Sequence, residues 1–266
     1  MILAPASLVT ALSVAAAVAY AVPAAGAARI GAAAARGWLA LAWLLHAVVL
    51  GLGLFGAAPR FGFAPALSMT AWLVLTLYGV ESRLIPQLRV RWALAALGAV
   101  AVLLALFFPG AELRDVSFWL PLHLALGLAS YGLFAAAVLH GWLMGRAESE
   151  IRQAADPQAG VPLLMLERLT FRFVVAGFVL LSATLLAGWL FEEALYGRPG
   201  GGWHWDHKTV FSILAWLTFA VLLLGRARFG WRGRRAVRFL YAGSGLLLLA
   251  YVGSRFVLEV ILRRSP

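Results

Sequence analysis

Hydrophobic residues in this chain form long runs separated by short polar segments, instead of the alternation of a half-buried strand or the one-sided stripe of a soluble helix. A run of about 20 residues crosses roughly 30 Å of hydrocarbon as an α-helix, which rises 1.5 Å per residue. The runs lie near residues 4–22, 37–57, 64–80, 92–108, 118–143, 172–194, 208–225 and 237–260. The pattern therefore predicts an all-α, polytopic membrane protein with about eight transmembrane helices.

The basic residues indicate how these helices are oriented. With an even number of spans, both termini lie on one side of the membrane, and the connecting segments alternate between the two sides. The segments near 23–36, 81–91, 144–172 and 226–238 contain fifteen of the 22 Lys and Arg residues. Positively charged loops stay in the cytoplasm. We therefore expect both termini to be outside, together with the polar segment that precedes the run at 208–225.

Composition narrows the class of protein. With 63% hydrophobic residues, 12% charged residues and a mean hydropathy of +0.90, the chain has too little polar surface for a water-soluble domain. Orientation in a bilayer explains its net charge of +11, so we predict membrane lipid, and no nucleic acid, as a partner. The chain has no cysteine, which excludes disulfides, thiolate metal sites and the C-x-x-C-H motif for covalent haem.

The runs and connectors predict a single transmembrane domain over residues 1–266. The longest connector, 144–171, contains the polar sequence ESEIRQAADPQAG, followed by Leu163, Leu166 and Leu169 at helical spacing. That spacing predicts a surface helix on the cytoplasmic side. The first run opens without a basic segment before it, which is typical of an uncleaved span.

Five histidines stand out, because an ionisable group inside hydrocarbon is costly unless it faces a partner, a cavity or a cofactor. They are His46, His123, His140, His204 and His207. Neutral imidazole is also a common metal ligand. His46 lies midway along the second run, where a hydrogen bond to a neighbouring helix and contact with a ligand or cofactor are both open explanations.

His123 and His140 lie at opposite ends of the fifth run. Seventeen residues of helix separate them by about 25 Å, so they cannot bind the same metal ion. His140 falls near the cytoplasmic end, where an interfacial histidine is expected. His123 follows Pro121 in SFWLPLHLALGLASY, and Phe118 and Trp119 supply flat apolar surface beside it. We therefore expect a functional role for His123.

The segment WHWDHK, residues 203–208, crowds aromatic and ionisable side chains between two apolar runs. In an extended backbone Trp203, Trp205 and His207 would share one face, whereas a helical turn would bring His204 next to His207. Either arrangement sets indole rings beside an imidazole nitrogen. Tryptophans are also common at membrane boundaries without a specific function, but that does not explain their density here.

Asp206 and Lys208 carry the opposite charges of this segment. Asp206 directly precedes KTVFSILAW and suits the N-cap of the seventh helix, where its carboxylate would accept backbone N–H groups. Lys208 is the only lysine among the 22 basic residues. Its cation would pair with a porphyrin propionate or with a lipid phosphate, and the sequence leaves both open.

The sequence GGWHWDHKTVFSILAWLTFAVLLLGR resembles the tryptophan-rich signature of the cytochrome c assembly protein family, of the CcsA and CcmC type. It is especially similar to the CcsA-like branch labelled YpjD or HemX. The family pattern is W-G-x-x-W-x-W-D-P-K. Here residues 203–206 match W-x-W-D, Lys208 matches the lysine, His207 replaces the proline and Tyr196 replaces the first tryptophan.

This resemblance implies a protein of the bacterial inner membrane that handles haem during cytochrome c assembly. It implies that haem b is held at the outer face, with Trp203 and Trp205 stacked on the porphyrin. It also implies that His123, together with His207 or His204, supplies axial nitrogen to the iron.

The same resemblance assigns roles to three further residues. Asp206 would order the loop, and Lys208 would offset the charge of a propionate. His46 corresponds to the family's intramembrane histidine and would contact the cofactor.

The chain departs from the larger synthases of the family, which carry histidines where this sequence reads LLLGR at 222–226 and RFVLEVIL at 255–262. We therefore expect a protein that handles haem together with other cytochrome c maturation or haem-pathway proteins, rather than an enzyme that acts by itself. The missing histidines favour the alternative, a membrane scaffold or regulatory accessory protein of the same fold without bound haem. A solute or ion transporter is a third hypothesis, with Glu81, Arg255 and Glu259 as further ionisable groups near the spans.

Overall fold

The helices predicted from the hydrophobic runs are present. A computed structural model of the protein describes residues 5–26, 29–56, 59–84, 91–113, 119–152, 163–191 and 206–261. The helices are α1 Pro5–Ala25, α2 Ala32–Phe55, α3 Phe63–Leu84, α4 Arg91–Phe107, α5 Trp119–Arg152, α6 Leu163–Leu190, α7 His207–Phe229 and α8 Gly233–Leu248. Within these ranges seven helices are long and apolar enough to span a membrane, and α4 adds a shorter apolar helix. The prediction of an all-α polytopic membrane protein is confirmed.

The connector between the fifth and sixth helices differs from the sequence-based expectation. Helix α5 continues to Arg152, and α6 already begins at Leu163. Leu163, Leu166 and Leu169 therefore belong to the first turns of α6 and not to a separate surface helix. The helical spacing of these leucines is present, but it fits the start of α6 as well as it would fit a separate surface helix.

Two small departures from regular α-helix were not predicted. Two-residue strands, β1 Arg60–Phe61 and β2 Ala111–Glu112, pair antiparallel. After α8 the chain forms a π-helical turn, Leu249–Gly253, then one α-helical turn, Ser254–Phe256, and a second π-helical turn, Val257–Ile261. A π-helical turn contains one more residue than an α-helical turn, so it changes the direction in which the following side chains point.

The described residues fall into two compact units, one drawn from Met1–Arg114 and Arg255–Pro266 and the other from Asp115–Ser254. In the first unit α1 packs against α2 and α4, and α3 packs against α2 and α4. Tyr20 of α1 is fully buried. A Cβ at Gly98 of α4 would lie 2.9 Å from Cζ of this tyrosine, so the glycine makes room for the ring.

In the second unit α5 and α6 are antiparallel neighbours with a regular register. Trp119 stacks on Phe191 with ring centroids 4.4 Å apart. Further along the pair, a Cβ at Gly127 of α5 would lie 3.6 Å from Thr184 of α6. Beyond that, a Cβ at Gly177 of α6 would lie 3.1 Å from the ring of Phe134 of α5. Each step along α5 is thus matched by a similar step along α6 in the opposite direction.

Two stacked phenylalanine rings form the centre of this second unit. Phe134 of α5 and Phe219 of α7 lie 3.8 Å apart between centroids and are nearly parallel, at 7°. Gly177 of α6 lies against the ring of Phe134, and Gly243 of α8 lies against that of Phe219, where a Cβ would come within 2.8 Å. The two glycines let four helices approach around one pair of rings.

A partly buried carboxylate joins α6 to the turn between α7 and α8. Glu167 of α6 pairs with Arg226 near the end of α7, and Nε of Arg232 lies 3.5 Å from the same carboxylate. The guanidinium of Arg226 also lies 4.4 Å from the ring of Phe171. These contacts fix the turn at the end of the unit opposite to Trp119.

Candidate functional site

His123, the first predicted ligand, lies in a layered contact between α5 and α6. It follows Trp119 by four residues, so the two side chains occupy one face of α5. Across from them, Gly188 lies near the end of α6 and precedes by three residues Phe191, which directly follows the helix. A Cβ at Gly188 would lie 3.4 Å from Cε1 of His123. The imidazole therefore packs against the backbone of α6, directly below the Trp119–Phe191 stack.

The aromatic stack beside His123 leaves ring surface accessible. The Trp119 and Phe191 rings are 9° from parallel, and Trp119 remains 38% exposed. An exposed indole at a helix end is usual at a membrane boundary. Here it also provides flat apolar surface within one helical turn of an imidazole, as the sequence predicted for Trp119.

The start of α7 brings a charged pair to the same unit. Asp206 has an extended backbone, with φ −85° and ψ 164°, and its Oδ1 accepts the backbone N–H of Thr209 at 2.8 Å. This confirms the predicted N-cap. Burial by itself raises the pKa of Asp206, but hydrogen bonds from Thr209 and the positive charges of Lys208 and His207 outweigh it, so the pKa lies below its ordinary value.

Lys208 connects α7 to the other elements around His123. Its Nζ lies 5.9 Å from the ring centroid of Tyr251, and the lysine is close enough to His123 to interact with it electrostatically. A cation over an aromatic face is attracted to the ring at such a distance. The structure thus gathers an imidazole, a cation and three aromatic rings at one end of the second unit.

Tyr251 belongs to the π-helical turn, and a hydrogen bond supports the helix just before that turn. The hydroxyl of Tyr131 on α5 donates to the backbone carbonyl of Leu247 at 2.6 Å. A side-chain hydrogen bond to a helix carbonyl often accompanies a break in the regular pattern of backbone hydrogen bonds along a helix. Single π-helical turns are frequent at functional sites, and this one carries the ring that faces Lys208.

Three residues of the WHWDHK segment lie outside the described residues: Trp203, His204 and Trp205. Their predicted contact with porphyrin stays a prediction. His207 is the first residue of α7 and is exposed. Asp206 caps α7 and Lys208 interacts with His123, so the described part of this segment, residues 206–208, lies at this same end of the unit.

His46, in the first unit, has a different environment. It is fully buried, with its Nδ1 3.3 Å from the hydroxyl of Tyr20 and its Nε2 2.8 Å from Oγ of Ser68. Both ring nitrogens therefore have hydrogen-bond partners, one on α1 and one on α3. This geometry matches the first of the two explanations left open by the sequence, a core histidine bonded to neighbouring helices. A contact between His46 and a cofactor stays a prediction.

His140 is buried within the protein, and the expectation that it lies at the level of the membrane interface stays a prediction. It is 1% exposed and its ring lies 5.3 Å from that of Phe173 on α6. Helix α5 continues for three more turns to Arg152, and the His140 ring is buried because it packs against α6.

Several residues of the site were missed by sequence reasoning. Gly188 and Phe191 carry a weak signal, since they lie three residues apart at the end of α6, the helix that follows α5 along the chain. Tyr251 and Tyr131 carry none, because the π-helical turn that orients Tyr251 has no sequence pattern of its own. Their contribution depends on packing alone.

The described residues are chemically suited to a haem. A porphyrin supplies four ligands to its iron, so the protein needs only one or two axial groups, usually including histidine. His123 is such a group, Trp119 and Phe191 provide aromatic surface, and Lys208 provides a cation for a carboxylate. Among the described residues no three His, Cys, Asp or Glu side chains are grouped as a conventional metal site, which an iron porphyrin does not require.

Comparison with known proteins gives the family. The family model described as "Cytochrome C assembly protein" matches residues 33–262. The inner membrane protein YpjD of Escherichia coli (strain K12) is 36% identical over 141 residues, which cover 52% of this chain and 52% of that protein. An uncharacterized 28.8 kDa protein of Azospirillum brasilense is 34% identical over 147 residues, 54% of this chain and 53% of that protein.

A second kind of relative carries a functional name. The cytochrome c biogenesis protein CcsA of Prochlorococcus marinus (strain MIT 9515) is 34% identical over 92 residues, 35% of this chain and 28% of that protein. The chain spans about half the length of the first curated relatives it matches. The family match, by contrast, extends through both compact units. The chain therefore belongs to the cytochrome c assembly protein family and is CcsA-like.

Proposed function

We propose that this protein handles haem b in the bacterial inner membrane during cytochrome c assembly, and that it holds the haem at the outer face of the membrane. The names of its relatives support the location and the process: one is an inner membrane protein and another a cytochrome c biogenesis protein. The observation that carries the proposal is the position of His123, beside a partly exposed aromatic stack and within electrostatic range of Lys208, at the end of the unit where α7 begins.

Each residue of the cluster has a role in this proposal. Bound haem would supply an iron with open axial positions, a flat apolar ring and two negative propionates. His123 would hold the iron, with His207 or His204 as a further nitrogen ligand. Trp203 and Trp205 cover the ring.

The charged residues orient the site. Lys208 offsets one propionate, and Asp206, by capping α7, fixes the point where the tryptophan-rich segment meets the helix. Tyr251 lies under the lysine and limits where its cation can reach.

We further propose that residues 1–266 form one transmembrane domain, with 144–171 as its cytoplasmic connector, and that other cytochrome c maturation or haem-pathway proteins receive or deliver the haem.

The test is a haemin titration of the purified protein followed by its Soret band. Wild type is expected to bind haemin with a red-shifted Soret band, and His123→Ala is expected to weaken binding at least tenfold. Free imidazole added to His123→Ala should restore the band, because the small ligand can occupy the space left by the side chain. His140→Ala, about 25 Å away on the same helix, is the matched control and should bind as wild type does.

A second candidate function is a membrane scaffold or regulatory accessory protein that keeps the fold without haem. The hydrogen bonds on both ring nitrogens of His46 favour it, because they leave that imidazole engaged within the protein. In that case wild type would show no Soret shift with haemin, and replacing WHWDHK would change which proteins co-purify. A spectrum that is identical in wild type and His123→Ala would contradict the haem proposal.

A further inference from the structure

A groove lies between α5 and α8 at the end of the second unit away from His123. It has a volume of about 350 Å³ and is lined on α5 by residues from Gly141 to Glu148 and on α8 by residues from Gly233 to Tyr241. The residues of the proposed haem site do not line this groove. Its two walls belong to the same compact unit.

The glycines of α5 explain how the groove opens. A Cβ at Gly141 would touch Leu240, Tyr241 and Val237 at 3.5–3.6 Å, so the two helices are in close contact at this level. One turn further along α5, a Cβ at Gly145 would have no neighbour within 4 Å. The groove is therefore open at this level, and the open space is bordered by glycine and aliphatic surface that suits a hydrocarbon chain.

The rim of the groove is aromatic and basic. Trp142 and Tyr241 are 45% and 41% exposed, one on each wall. Arg146 lies 5.9 Å from the Trp142 ring, and Arg234 stands on the opposite wall. Amphipathic aromatic rings beside arginines are typical of the level at which lipid head groups lie.

Several other arginines lie at this end of the unit, outside the groove. Arg226 and Arg232 contact the carboxylate of Glu167, and Arg235 lies 4.1 Å from the ring of Trp231. Those contacts hold the turn between α7 and α8 in place. Arg146 and Arg234 border the groove, together with one acidic residue, Glu148.

We infer that this groove binds an anionic phospholipid. The phosphate lies between Arg146 and Arg234, and an acyl chain follows the apolar wall at Gly141 and Val237. A soluble anion would contact only the two arginines, whereas the lipid also occupies the open space beside Gly145. Glu148 opposes the negative head group and keeps the affinity moderate.

The test uses delipidated protein in detergent, titrated with phosphatidylglycerol or phosphatidylcholine, with bound lipid counted by native mass spectrometry. Phosphatidylglycerol should bind more tightly than phosphatidylcholine. Arg146→Gln and Arg234→Gln should each weaken phosphatidylglycerol binding by about fivefold, since a basic residue near an anionic head group contributes about that factor. Arg228→Gln, an exposed arginine outside the groove, is the matched control and should change nothing.

Two further variants test the inference without removing an arginine. Glu148→Gln should tighten binding of phosphatidylglycerol, and Gly145→Leu should weaken it by filling the groove without altering any charge. The inference is overturned if Arg228→Gln has the same effect as Arg234→Gln, or if Gly145→Leu binds as wild type does. Displacement of phosphatidylglycerol by millimolar inorganic phosphate would also overturn it, because the occupant would then be a free anion.

Discussion

Gly243 offers the sharpest test of how the second unit is packed. A Cβ at this position would lie 2.8 Å from Cε1 and Cζ of Phe219 and 3.1 Å from its Cδ1. Carbon atoms in favourable contact are about 3.5–4.0 Å apart, so in Gly243→Ala the ring would have to move by roughly 0.7 Å. It has little room to do so, because Phe219 already stacks on Phe134 at 3.8 Å and Phe134 lies against Gly177.

The magnitude follows from two opposing effects. Replacing glycine by alanine inside a helix is favourable by about 0.8–1.0 kcal/mol, while forcing an additional methyl group into a packed core costs about 1–3 kcal/mol. Gly245→Ala is the matched control, since it lies two residues along the same helix and has no atom within 4 Å of the new Cβ. Both variants gain the helix-propensity term, so their difference in unfolding free energy isolates the steric cost, expected at about 1–3 kcal/mol.

The assay is equilibrium unfolding of the purified protein in mixed micelles with increasing sodium dodecyl sulfate, followed by circular dichroism. Gly243→Ala should unfold at a lower detergent fraction than Gly245→Ala. Adding Phe219→Leu should remove most of this difference, because the shortened side chain no longer meets the new methyl group, and the two changes should therefore be non-additive. Equal stability of Gly243→Ala and Gly245→Ala would refute the proposed packing of the rings between glycines.

Two further predictions concern the candidate site. Asp206→Ala should lower the stability of the protein at pH 7 by about 0.5–2 kcal/mol. Because the folded-state pKa of Asp206 lies below its ordinary value, the stabilisation by its carboxylate is present above about pH 4 and is lost as the pH falls through the folded pKa. The difference between wild type and Asp206→Ala in thermal melts should thus shrink on acidification, and a constant difference from pH 7 to pH 3 would be inconsistent with a charged cap. Tyr131→Phe removes the hydrogen bond to the carbonyl of Leu247 and should cost about 1 kcal/mol in the same melts, with faster amide hydrogen exchange at residues 249–253. Unchanged exchange there would show that the π-helical turn does not depend on Tyr131.

The candidate site shows where sequence reasoning works and where it fails. Asp206 was predicted as an N-cap from its neighbours alone, and the hydrogen bond from Thr209 confirms it, because capping depends on residues within one turn. His123 was singled out by its polarity within an apolar run. Its contact with Gly188, however, depends on the register between α5 and α6, which is not a property of either segment by itself.

The hydrophobic runs, the excess of arginine and the WHWDHK segment determined the class of protein, its helices and its family, because each is a property of contiguous sequence. Only the tertiary structure decided which faces of those helices meet. Helices that are apolar nearly all round give no stripe that marks a buried face. The choice instead depends on where a glycine admits a ring, as Gly243 does for Phe219, and on which helices can satisfy a buried polar group, as α1 and α3 do for His46.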